Sequence, residues 1–60
     1  MNDEQFHLLC EANNRLVDVI DLLELAGQEV LRRRAVNIKL QIIKVWEREC
    51  KRRKKQRNMA

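Results

Sequence analysis

The sequence predicts an all-α fold: an antiparallel hairpin of two helices, dimerising into a four-helix bundle, with a basic C-terminal extension. Three observations predict it. The 60 residues contain no Pro and one Gly and are rich in Leu, Glu, Arg, Lys, Gln and Ala, all strong helix formers. Apolar residues recur at three- and four-residue spacing over two stretches. In the second stretch they cover more of the helix circumference than a single neighbour could bury.

The first helix is expected over about residues 3–26. Asn2 stands at its start with Gln5 three positions on, a capping-box spacing, and Asp3 and Glu4 favour the positive end of the helix dipole. From Phe6 a heptad seam runs through Leu9, Asn13, Leu16, Ile20 and Leu23 and on to Gly27 and Val30, flanked by Ala12, Val17, Val19 and Leu31. An apolar face that wide suits a bundle better than a two-stranded zipper. Asn13 in mid-seam is expected to fix register or oligomeric state at some cost in stability. Leu22 and Leu25 project toward the polar side, either covered by the turn or open to another protein.

Two positions for the turn compete with an unbroken helix. Gly27 is the natural left-handed residue to end a helix, and Gln28-Glu29 would open the next. A later turn within residues 32–37, capped by Asn37, would explain why Val30 and Leu31 keep the phase of the first helix. One unbroken helix is the third option. The favoured reading puts the second helix at about residues 28–50 and beyond, completing a hairpin over 1–50, with 51–60 as a basic tail. Its core positions are Val36, Leu40, Ile42, Ile43 and Trp46, accompanied by Ala35, Ile38, Val45 and Cys50. Lys39 lies on that apolar side, where it must snorkel or meet an acid such as Glu24. A polar strip remains at Asn37, Gln41, Lys44, Arg48, Lys51 and Lys55.

The formal charge of +4 conceals a division. Residues 1–29 carry seven acids against Arg15, a balance of −6, and residues 30–60 carry twelve bases against Glu47 and Glu49, a balance of +10. Opposite fields favour pairing of the two helices, and the surplus is basic. Cations at three- and four-residue spacing can follow a phosphate backbone, so a nucleic-acid interface is expected at Arg32, Arg33, Arg34, Lys44, Arg48, Lys51, Arg52, Arg53, Lys54, Lys55 and Arg57. The competing explanation of this basicity is helix-dipole complementation and solubility. Sequence readout is a weaker expectation, with Gln56, Arg57 and Asn58 candidates by residue type only.

A chain of this length buries only about 60% of its unfolded surface, so a second copy is the expected partner. With no Ser, a lone His and no room for a walled pocket, the chain is expected not to be an enzyme. His7, Cys10 and Cys50 could converge but fall one ligand short of a structural zinc site, so neither metal nor cofactor is expected. The acidic start Met1–Gln5 lacks the basic region of a secretory signal, no run is long and apolar enough to span a membrane, and the two cysteines are expected reduced; the chain reads as cytoplasmic. The leading functional expectation is a small helical regulator that contacts nucleic acid mainly through phosphates. The alternative is a protein interaction module, an adaptor or inhibitor engaging a host or partner protein, whose tail serves solubility.

Overall fold

A computed structural model describes the backbone of residues 1–59 and the side chains of residues 1–56. Two helices, α1 (Asp3–Leu25) and α2 (Glu29–Met59), pack as a hairpin 50 Å long, and no strand occurs among the described residues. The expected capping box is present at the start of α1. The Gln5 backbone N–H donates to Asn2 Oδ1 at 2.7 Å, and the Asn2 N–H donates to Gln5 Oε1 at 3.0 Å, so each residue satisfies an otherwise unpaired donor of the other.

The turn is at Gly27. Its φ of 70° is a left-handed conformation that costs a residue with a Cβ about 1 kcal/mol or more. The Gly27 N–H donates to the Glu24 carbonyl at 3.0 Å and the Gln28 N–H to the Leu23 carbonyl at 2.9 Å, a Schellman motif that satisfies the last carbonyls of α1. The Gln28 carbonyl then accepts from the Arg32 N–H and α2 begins. Val30 and Leu31 keep the phase of α1 only by coincidence of spacing, and both are exposed.

Phe6, Leu9, Asn13, Leu16, Ile20 and Leu23 are half-buried, as is Cys10, and they face Ala35, Val36, Ile42, Ile43 and Cys50 of α2. Ala35, 6% exposed, is the one buried apolar side chain among the described residues. Leu40 and Trp46, expected in the core, are 52% and 41% exposed. Leu40 projects from the flank of α2, and a single neighbouring helix covers the indole of Trp46 on one side only. Lys39 is half-buried but forms no ion pair among the described residues. The register set by Asp3 against Arg53 leaves Glu24 about two turns, roughly 10 Å, farther along the hairpin. α2 passes residue 50 without a break, so the basic segment continues the helix to Met59.

Candidate nucleic-acid interface

The cations of α2 divide by helical phase. Arg34, Lys44, Arg48, Lys51 and Lys55 are exposed, and with Asn37 and Gln41 they follow one another at three- and four-residue steps on the side of α2 turned away from α1. At 1.5 Å per residue the stripe is about 30 Å long. None of these cations, nor Lys54, forms an ion pair among the described residues. Arg57 and Asn58 lie outside the described side chains.

Arg32, Arg33, Arg52 and Arg53, drawn from the same sequence-predicted set, have acidic partners. Glu29 accepts from Arg32 and, at 3.3 Å, from Arg33; the Arg32 hydrogen bonds hold the Glu29 carboxyl down at about 2. Glu49 Oε1 accepts from Arg52 Nη2 at 2.7 Å and from Arg53 Nε at 3.1 Å. The Arg52 contact is the main reason the Glu49 carboxyl is lowered to about 2. Glu49 is only 8% exposed and is the one buried charged residue among those described.

Arg53 reaches across to α1. Its Nη1 donates to Asp3 Oδ1 at 2.6 Å, its Nη2 donates to the Met1 carbonyl at 3.3 Å, and its guanidinium carbon lies 4.5 Å from the centre of the Phe6 ring. Hydrogen bonding to Arg53 lowers the Asp3 carboxyl, and Arg53 is raised in turn. Arg52 also donates to the Met1 carbonyl at 3.3 Å. This clasp fastens the first turn of α1 to α2. It was not anticipated, although its signal is in the sequence: Glu29-Val30-Leu31-Arg32-Arg33 and Glu49-Cys50-Lys51-Arg52-Arg53 share one spacing, an acid followed at three and four positions by arginines. Asp3–Arg53 alone crosses between helices; the other ion pairs among the described residues join residues three or four apart.

Elsewhere, an open groove of about 380 Å³ between the helices is lined chiefly by Leu9, Cys10, Asn13, Ile42, Ile43 and Trp46. Asn13 Oδ1 is buried there without a hydrogen-bond partner. His7 is exposed, and no group of three metal-ligating side chains occurs among the described residues. No helix among the described residues is long and apolar enough to cross a membrane. The chain shows no significant similarity to a protein-family model, to a curated protein or to a solved structure.

Proposed function

We propose that this chain is a small non-enzymatic regulator that contacts nucleic acid, as a homodimer, through the phosphate backbone. The observation that carries the reading is the exposed, unpaired stripe Arg34, Lys44, Arg48, Lys51 and Lys55. The helix already orders the backbone that carries these cations in one line, so no backbone ordering is needed when they meet a polyanion of matching length. Arg32, Arg52 and Arg53 are occupied by carboxylates and contribute less. Asn37 and Gln41 in the same row can hydrogen-bond phosphates or base edges.

The test is titration of labelled duplex and single strands at several salt concentrations. Engagement of about five phosphates gives a log–log slope near −4 to −5 on duplex. The variant K44Q/R48Q/K51Q/K55Q leaves the Arg52–Arg53 clasp intact and is expected to abolish most of the binding. Truncation after residue 50 would instead remove the clasp along with the cations. No binding at low salt, or binding unchanged in the quadruple variant, defeats the proposal.

One observation favours a protein partner as the second reading. Leu22, Leu25 and Val30 stand exposed around the turn, Leu25 at 85%, at the opposite end from the clasp. Capture of a host protein that survives nuclease treatment and is lost in Leu25→Asp would support that adaptor role over the nucleic-acid one.

A further inference from the structure

We infer that a second copy of this chain docks on one specific side of the hairpin, the side carrying Leu8, Ala12 and Val19 of α1 and Leu31, Ile38 and Val45 of α2. This deepens the homodimer reading above and is independent of whether nucleic acid is bound. All six side chains are exposed in the single chain. Leu31, Ile38 and Val45 are seven residues apart and stack as one row. The α1 residues form the matching row.

The two rows are displaced in the same rotational sense from the lines along which the helices face each other. In an antiparallel pair, equal rotational displacement brings both rows out on the same side of the plane through the axes. Between them lie the half-buried Leu16 and Ile42, so the side is a continuous apolar slab. Glu49, seven residues beyond Ile42 and paired with Arg52 and Arg53, closes the slab at the clasp end, and Arg15, Arg34 and Arg52 reach its margins by the same phase argument.

The hairpin as a whole has surface to spare for an interface. The chain exposes 5236 Å², whereas a compact monomer of 7.2 kDa would expose about 4100 Å². The excess of roughly 1100 Å² is comparable to the about 800 Å² that each partner gives to a standard interface. The 14.5 Å radius of gyration likewise exceeds the about 10 Å of a compact chain of this length.

A copy of the same chain is the occupant that the charge division selects. A two-fold axis along the hairpin lays acidic α1 over the partner's basic α2 and makes every neighbouring helix pair antiparallel. Acidic and basic helices then alternate around the bundle, each α1 lying between two copies of α2. The rest of the basic stripe, Lys44, Arg48, Lys51 and Lys55, lies on another phase of α2 and stays exposed.

Sedimentation equilibrium without nucleic acid tests this, with Ile38 and Leu40 as a matched pair: they are 51% and 52% exposed and emerge on opposite sides of the hairpin. The wild type is expected to be dimeric at micromolar concentration, Leu40→Glu to remain so, and Ile38→Glu to be monomeric or unfolded. Because association and folding are coupled, the milder Ile38→Ala and Val45→Ala are measured as well, and each is expected to raise the dissociation constant at least tenfold. A folded wild-type monomer, or disruption by Leu40→Glu with Ile38→Glu still dimeric, would overturn the inference. Failure here leaves the salt titration of the quadruple variant interpretable, and failure there leaves this measurement standing.

Discussion

Glu49 concentrates more of the electrostatics of this hairpin than any other side chain. It is buried at the point where Arg52 and Arg53 converge, and Arg53 carries the connection on to Asp3, Met1 and Phe6. Carboxyls whose folded pKa lies below the unfolded value stabilise the fold at and above the ordinary range and lose that contribution as they are protonated. For Glu49 and Glu29 the loss runs from the ordinary 4.5 down to about 2, and Asp3 shifts in the same direction. Thermal stability is therefore expected to hold steady above about pH 5 and to fall progressively toward pH 2. In Glu49→Gln a circular-dichroism melt across that range should show a visibly shallower fall.

Asn13 offers the opposite experiment. Its Oδ1 is buried without a partner beside the Trp46 groove, and an unsatisfied buried acceptor costs about 1–3 kcal/mol. Asn13→Leu, which also fills part of the groove, is expected to raise stability by about 1–2 kcal/mol in urea unfolding. If Asn13 also specifies register, the same variant should broaden the distribution of oligomeric states in sedimentation.

Among the elements, the turn is the feature most tightly bound to one residue. Nothing lies within 4 Å of where a Gly27 Cβ would stand, so substitution there is a test of backbone conformation alone. Gly27→Ala is expected to cost about 1 kcal/mol, read as a lower urea midpoint at unchanged slope, and Gly27→Asn less, because Asn tolerates the left-handed region better.

The α1 seam was legible because its residues repeat at heptad spacing and the partner helix lies along one line. The capping box and Gly27 were legible because their chemistry is local to a few residues. α2 was harder. Apolar residues occupy most of its circumference, so the pattern says that much of it wants cover without saying which part α1 supplies. Leu40 and Trp46 were placed inside for that reason, and Lys39 was given an acid whose level on the hairpin depends on a register that spacing alone does not fix. The nucleic-acid set is read differently: residue type marks eleven cations, an acid three and four positions before an arginine pair nominates those beside Glu29 and Glu49, and the geometry shows them paired.

On the scale of the whole molecule, the hairpin measures 50 × 17 × 12 Å and exposes apolar side chains on both flanks. A single pair of helices with one small apolar residue buried among the described residues has little free energy with which to offset the ordering of its backbone. The proposed association would supply the missing burial, so the melting temperature is expected to rise with protein concentration over the micromolar range. A concentration-independent melt with full helical signal at the lowest concentration would contradict this.

The phases of α2 carry a further consequence, one for insertion and deletion rather than substitution. One helix turns its inner line to α1, the Ile38 row to the proposed second copy and the Lys44–Lys55 row to the proposed polyanion, and these are kept apart only by rotation about a common axis. Inserting one residue after Gln41 would turn everything downstream by about 100°. Apolar side chains would then rise where cations stand, and the clasp arginines would swing off Asp3. Each row of this helix tolerates exchange within its own chemical type, but the length between Gly27 and Arg53 is fixed.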